Sequence, residues 1–352
     1  MTVVKAILLA LVAAGSGVQT SALAAPVGDA LQRPALQVRQ PERSVLLAAA
    51  QAGQRIVAVG ERGMVALSED QGQTWRQVPC PVSVTLTMVR FADAQHGVAV
   101  GHGGTVLTTA DGGASWQLRL DGVQLAAIAQ RAAQGEQAQA DAQRLKDDGP
   151  DKPFLDVLMW DAQRMLAVGA YGLAFYTADG GKTWQPWMDR LPNPRAMHWY
   201  VARRAGDTVW LAGEQGVLAR SNDGGNSFQA VESPYRGSWF TGELQADGAV
   251  LLAGLRGNVW RSADGGRNWV QLPLPVPASV AASAGAAQGS FFLAGQAGVV
   301  LQGKGGTVKP LNTTPLPPLA GVLPLNDGRL LTVGLGGVVT LPAPAVQEGG
   351  RP

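Results

Sequence analysis

Short apolar runs alternate with glycine pairs at a nearly constant interval along most of this chain. Each run ends in Gly-x-x-Gly, and the first glycines of the seven pairs are Gly60, Gly101, Gly169, Gly213, Gly254, Gly295 and Gly334. Successive first glycines lie 41, 68, 44, 41, 41 and 39 residues apart. A period near 40 residues with Gly and aromatic punctuation is typical of β-propellers, in which one repeat forms one four-stranded blade. The pattern predicts an all-β fold, a seven-bladed β-propeller over residues 44–345.

Five of the glycine pairs are followed by Ser/Thr-x-Asp-x-Gly-x-x-Trp/Phe, which we name the Asp box. We expect its carboxylate to accept backbone N–H bonds within a turn and its aromatic ring to fill the wedge between blades. Both glycines of each Gly-x-x-Gly pair are expected to tolerate positive φ. The sixth box is degenerate, with Lys304 and Lys309 in place of Asp and Trp. The carboxylates given this structural role are those of Asp70, Asp111, Asp179, Asp223 and Asp264.

The seventh repeat has no Asp box and therefore no outer strand of its own. The N-terminal segment, residues 25–43, contains Leu36-Gln37-Val38-Arg39 directly before the first blade. We expect this stretch to supply the missing strand, because pairing the two chain ends removes an exposed sheet edge. Residues 346–352 form a short tail.

One interval between repeats exceeds the period, and the excess lies at about residues 123–152, between blades two and three. This segment is rich in Ala, Gln, Arg and Glu, which favour helix, and Gly149-Pro150 ends it. The sequence therefore predicts a helical insertion. Two interpretations stay open: a solvated excursion packed loosely on one blade, or a docking helix for a partner.

The chain begins with Lys5, a short apolar run and Ala22-Leu23-Ala24, a pattern typical of a secretory signal peptide over residues 1–24. We therefore expect an exported protein that is periplasmic or lumenal and does not insert into the membrane. Cys80 is the only cysteine, so no disulfide forms within the chain, and its role is open. A net charge of +2 argues against nucleic acid as a partner.

The sequence predicts no catalytic, cofactor or metal site. Its three histidines, His96, His102 and His198, have no metal-ligand spacing. Asp boxes also occur in sialidases, so a glycan-binding or sialidase-like glycoside hydrolase is the alternative function. Such an enzyme needs paired carboxylates, or a Tyr and a Glu, in one pocket. Glu214 and Glu232 are the carboxylates that would test it.

The residues between the paired glycines should form a ring on one face of the propeller, opposite the Asp boxes. The connections entering blades four and five are aromatic and basic, and Tyr and Arg are favoured at interaction hot spots. We therefore predict a partner-binding face. Its candidate residues are Arg256, Arg236, Tyr235, Tyr171, Arg195, Arg62 and Glu214.

The repeated Val-Gly-x-x-Gly followed by Thr-x-Asp-Gly-Gly-x-x-Trp resembles the photosystem II stability/assembly factor family, and more closely its bacterial relatives outside photosynthesis. The resemblance covers about residues 45–340, and residues 168–172, 212–216, 234–238 and 254–258 carry it. It implies a non-enzymatic seven-bladed propeller that binds membrane-protein assembly intermediates through an arginine-bearing face. Arg256 and Arg236 would lie in that face.

By this resemblance the partner is a membrane protein complex or its assembly intermediate, and the protein is a monomeric scaffold for it. The helical insertion and the degenerate sixth box depart from the photosynthetic pattern. Bacterial relatives tend to accompany resistance-nodulation-division (RND) exporters, so an RND-type transporter is a second client that the resemblance implies.

Overall fold

The computed structural model describes residues 28–286, 289–304, 306–312 and 314–343. Its strands form seven antiparallel sheets, which confirms the seven-bladed β-propeller. The predicted signal peptide and the tail at residues 346–352 lie outside the described residues. Within them, no helix is long and apolar enough to cross a membrane.

Each sheet is one blade, and its strands follow one another in chain order from the inner strand outward. The first four blades are β1 (Leu46–Ala52), β2 (Arg55–Gly60), β3 (Val65–Ser68), β4 (Arg76–Gln77); β5 (Leu86–Phe91), β6 (Gly97–Gly101), β7 (Val106–Thr109), β8 (Gln117–Leu120); β9 (Phe154–Met159), β10 (Met165–Gly169), β11 (Ala174–Thr177), β12 (Gln185–Pro186); and β13 (Trp199–Ala205), β14 (Thr208–Gly213), β15 (Leu218–Ser221), β16 (Gln229–Ala230). The last three are β17 (Trp239–Leu244), β18 (Val250–Gly254), β19 (Val259–Ser262), β20 (Val270–Gln271); β21 (Val280–Gly285), β22 (Phe291–Gly295), β23 (Val300–Lys304), β24 (Thr307–Pro310); and β25 (Leu319–Pro324), β26 (Leu330–Gly334), β27 (Gly337–Leu341).

The first glycine of each Gly-x-x-Gly pair is required by a close approach and not by its φ. Gly60 has φ −168°, an extended value open to any residue, so the prediction of positive φ is wrong for this position. A Cβ on Gly60 would lie 2.0 Å from the carbonyl oxygen of Val45, just before the inner strand. The next residue, Glu61, donates its N–H to that same oxygen. The second glycine does have positive φ, 72° at Gly63.

The Asp boxes have the geometry that the sequence predicts. In blade two, Asp111 Oδ1 accepts from the N–H of Ser115 at 2.9 Å and from Thr109 Oγ1 at 2.7 Å. Ser115 Oγ donates to Asp111 Oδ2 at 2.6 Å. Trp116 is buried and donates from Nε1 to the carbonyl of Gly113 at 3.1 Å. In blade one, equivalent hydrogen bonds from Thr74 lower the pKa of Asp70 to about 2.

Asp111→Ala should lower the free energy of unfolding by about 1 kcal/mol, because it removes only the cap of an exposed turn. Trp116→Ala should cost about 3–5 kcal/mol, because it leaves a cavity between blades. Urea unfolding measures both, with the exposed Gln117→Ala as a control near zero. Equal losses for the Asp111 and Trp116 variants would contradict this division of roles.

The predicted closing strand does not form. The seventh blade has three strands among the described residues, and residues 36–39 join no sheet. This segment lies along blade one: the N–H of Ala35 donates to the carbonyl of Cys80, and the Gln77 side chain bonds Leu36 and Val38. The ring closes instead through packing of inner strands, because β1 packs against β25.

The helical insertion between blades two and three is confirmed as a hairpin of α1 (Gly122–Ala132) and α2 (Glu136–Asp147). Asp121 caps α1 by accepting from the N–H of Gln124 at 2.9 Å. The hairpin is not loosely packed. Its apolar side is buried in one cluster with the core of blades two and three, through Leu125, Ala126, Ala129, Ala142 and Leu145. Burial of this stripe holds the hairpin against the propeller.

A buried ionic network joins the inner strands of several blades. Asp156 of β9 is fully buried and accepts hydrogen bonds from Arg90 of β5 and Arg203 of β13. Arg203 also lies 3.8 Å from Glu243 of β17, which accepts a hydrogen bond from Ser283 of β21 at 2.7 Å. Burial opposes ionisation of Asp156, but the two guanidinium groups hold its pKa below the usual range. The network therefore links blades two to six.

Asp156→Asn should lower the free energy of unfolding by about 3–5 kcal/mol, because it removes the buried carboxylate that pairs with Arg90 and leaves Arg203 with only the more distant Glu243. Asp161→Asn is the matched control: Asp161 pairs with Arg164 at 2.8 Å at the surface, and its loss should cost about 1 kcal/mol or less. Chemical denaturation of both variants tests this, and similar losses would show that the buried network contributes no more than a surface pair.

Candidate partner-binding face

The Gly-x-x-Gly turns and the helical hairpin lie on the same face of the propeller, which we name the turn face. Each turn joins the second and third strands of a blade, so it lies at the same end as the connection to the next blade. In blade two, Gly122 at the start of the hairpin donates to the carbonyl of Gly103, 2.7 Å away. The N–H of Gly104 donates to the backbone carbonyl of Lys152, which follows the hairpin, at 2.9 Å. The Asp boxes lie on the opposite face.

Four of the turns place a non-glycine residue in the left-handed region. These residues have φ between 51° and 57° and are Arg62, Tyr171, Gln215 and Arg256. Left-handed backbone costs such residues about 1–2 kcal/mol, and strain of this kind concentrates at functional sites. All four are exposed, and Tyr171 retains 59 % of its accessible surface. The turns therefore present two arginines and a tyrosine outward at a cost to stability.

The other predicted contact residues are spread around the same face. Arg195 and Arg236 are exposed in the connections that enter blades four and five, and Arg195 donates to Gln215 at 3.5 Å. Tyr235 is half-buried, with its ring 5.4 Å from that of Trp239. Among the described residues, no carboxylate lies within ion-pair distance of the predicted arginines of this face. They are Arg62, Arg195, Arg236 and Arg256.

Tyr171 belongs to a compact aromatic and charged cluster. Its ring lies 4.8 Å from His198, and the ammonium group of Lys152 lies 5.5 Å from its centroid. Lys152, which follows the helical hairpin, also donates to Asp148 at 2.7 Å. His198 Nδ1 lies 2.8 Å from a carboxylate oxygen of Glu214, off the line of a hydrogen bond. The connections that enter blades three and four thus meet at Tyr171.

The cluster continues onto the inner strands. The ring of Tyr200 lies 6.0 Å from His198 and 5.4 Å from Phe240, in an edge-to-face contact with the latter. Burial, and then the charge of Glu214, raise the pKa of Tyr200 above its usual value, so this phenol stays neutral. The turn face therefore presents a continuous path of ring contacts from blade three to blade five, with Lys152 against its first ring.

Of this cluster, the sequence predicted Tyr171 and Glu214 as contact residues, but not Lys152, His198, Tyr200 or Phe240. Phe240 is half-buried, whereas the neighbouring inner-strand residues Trp199 and Trp239 are fully buried. Lys152 directly precedes Pro153 and the inner strand of blade three. This position could have predicted its membership of the cluster, because the connections between blades lie on the turn face.

Among the described residues of this cluster, Glu214 is the carboxylate that contacts a histidine. Within the described residues, no group of three His, Cys, Asp or Glu side chains could hold a metal ion. Glu214 is engaged with His198, and Glu232 is exposed and makes no described contact with it. The arrangement is suited to binding through exposed aromatic and guanidinium groups.

A family model and solved structures of other proteins match this chain. The model of the family described as photosynthesis system II assembly factor YCF48 matches residues 67–132 and 142–269, more than half of the sequence. No curated protein matches the chain. Similar solved structures include YCF48 bound to a D1 peptide, with 18 % identity over 88 % of this chain and 99 % of its own, at a TM-score of 0.63.

YCF48 from Cyanidioschyzon merolae has 15 % identity over 88 % of this chain and 98 % of its own, at a TM-score of 0.63. A streptogramin B lyase is similar at 11 % identity over 90 % and 99 % of the two chains, at a TM-score of 0.64. At these identities the structures show the shared propeller fold, and they include an enzyme. The two long matching segments of the family model go further: this chain belongs to the photosynthesis system II assembly factor YCF48 family.

Proposed function

We propose that the protein is a non-enzymatic assembly factor that binds a segment of a membrane protein complex, or of its assembly intermediate, on the turn face. The observation that carries the proposal is the strained, exposed placement of Arg62, Tyr171 and Arg256 at the tips of three turns. Membership of the YCF48 family supports it. Binding energy would come from aromatic contact at Tyr171 and charge-assisted hydrogen bonds from the arginines.

The proposed client segment is an extended peptide with acidic and apolar side chains, since the turn face offers both an aromatic path and guanidinium groups without a carboxylate partner among the described residues. A related structure holds a D1 peptide, which makes a photosystem II subunit the first candidate client. An RND-type exporter is the second candidate, which the resemblance to bacterial relatives outside photosynthesis implies. The reported matches name no transporter, so this client stays a prediction.

We further propose that the protein works as an exported monomer in the periplasm or lumen. The charged, apolar and small-residue pattern of residues 1–24 supports export. The glycoside hydrolase alternative gains no support from the site, because no described contact brings Glu214 and Glu232 together. Turnover of a fluorogenic glycoside panel well above background would revive it.

The double variant Arg236→Glu/Arg256→Glu should lose its client in a crosslinked pull-down from native membranes. Both positions then carry a negative charge and repel the acidic side chains of the proposed client segment. Arg267→Glu, a charge reversal at an exposed arginine on the opposite face, is the control and should recover the client as wild type does. Recovery of the same complex by all three proteins would place the contact elsewhere, with the helical hairpin next to be tested.

Tyr171→Gly should separate stability from binding. Glycine relieves the left-handed strain, so the free energy of unfolding should rise by about 1 kcal/mol while client capture falls. Gln215→Gly is the matched control, since Gln215 has nearly the same φ without an aromatic ring, and it should gain stability and keep the client. Undiminished capture by the Tyr171 variant would remove this ring from the binding face.

A further inference from the structure

Where one blade meets the Asp box of the next, a side chain of the preceding blade often donates to a backbone carbonyl of that box. Such a bond ties the two blades together on the Asp-box face. The bonds are Arg55 to Asp111 (2.8 Å), Trp160 to Gly224 (2.8 Å), Arg220 to Gly265 (2.9 Å) and Arg329 to Gln71 (3.0 Å). They serve the boxes of blades two, four, five and one.

The box of blade three differs, because no described side chain of blade two donates to its carbonyls. Arg119 is near enough: a Cβ on Gly181 would lie 3.3 Å from Cβ and Cγ of Arg119. The guanidinium group turns back instead, and its Nε donates to Thr108 of its own blade at 2.9 Å. A cleft of about 300 Å³ opens between the two blades, a volume at the lower end of small-molecule sites.

Charges of both signs line this cleft. Arg119 and Lys182 have no carboxylate within ion-pair distance among the described residues, and both border it. The carboxylates of Asp111 and Asp179 also border it, and the Oδ2 atom of each accepts only one described hydrogen bond, at 2.6 Å. Two cations and two anions balance, so the lining favours a ligand that carries both signs.

The remaining wall supplies apolar contact. Met159 is half-buried and Met165 is buried, and both line the cleft beside Gln163. A thioether wall accommodates aliphatic groups of varied shape. The cleft thus combines a place for a carboxylate, a place for an ammonium group and a small apolar surface.

We propose that the cleft between blades two and three binds a small zwitterion, an amino acid with an apolar side chain. Its carboxylate lies against Arg119 and Lys182, its ammonium group against Asp111 and Asp179, and its side chain against the methionines. This site is on the face opposite the turn face and is independent of the proposed client binding.

Isothermal titration calorimetry with L-leucine tests the proposal. We expect a Kd of about 0.1–1 mM, and binding weaker by at least about tenfold for N-acetyl-L-leucine and for L-leucinamide, which lack the ammonium group and the carboxylate respectively. Glycine, which has no apolar side chain, should also bind more weakly. No heat of binding with leucine, or equal binding of the blocked analogues, would overturn the proposal.

Variants locate the site. Arg119→Gln and Lys182→Gln, the latter at an exposed position, should each weaken leucine binding about tenfold or more, and melting curves verify that both fold. Arg267→Gln is the matched control, because Arg267 has the position of Lys182 in the Asp box of blade five, where Arg220 already ties the blades. Equal affinity in all three variants would place the ligand outside this cleft.

Discussion

Every blade depends on one close contact between a glycine and a carbonyl oxygen at the turn face. In all seven repeats, a Cβ on the first glycine of Gly-x-x-Gly would lie 1.9–2.2 Å from the carbonyl preceding the inner strand. The residue after that glycine donates its N–H to the same oxygen. Any larger residue would separate the turn from the inner strand, so the contact fixes where each turn tip lies. The positions of the exposed residues on the turn face therefore depend on this contact.

The repeat period was sufficient to predict the propeller, because each blade buries its apolar strands against its neighbours and repeats the same turns. The Asp boxes were predictable for the same reason: the Asp, the Ser or Thr, and the glycines all interact within eight residues. Local chemistry of this kind can be read from the sequence. The helical insertion was also visible, since its composition departs from that of the strands.

Contacts between distant parts of the chain were not predictable in the same way. Residues 36–39 have strand composition, but the Gln77 side chain bonds them along blade one and they do not reach blade seven. The prediction of positive φ for the first glycine of each pair considered only the turn itself. The contact that requires this glycine is with a carbonyl about fifteen residues earlier, which the local sequence does not reveal. The ionic network has a sequence signal that the prediction did not use. Asp156 interrupts an otherwise apolar strand, and Arg90 and Arg203 are charged positions in the neighbouring inner strands.

The same framework places binding and stability at different positions. The first glycines and the buried Asp156 network hold the ring, whereas Tyr171 and Arg256 add strain and exposed side chains that the fold does not require. Site-specific photo-crosslinking tests this most directly, with p-benzoylphenylalanine at position 171 and, on the opposite face, at the exposed position of Gln73. The account predicts a crosslink to one membrane-complex subunit from position 171 and none from position 73. A crosslink from position 73 alone would contradict it.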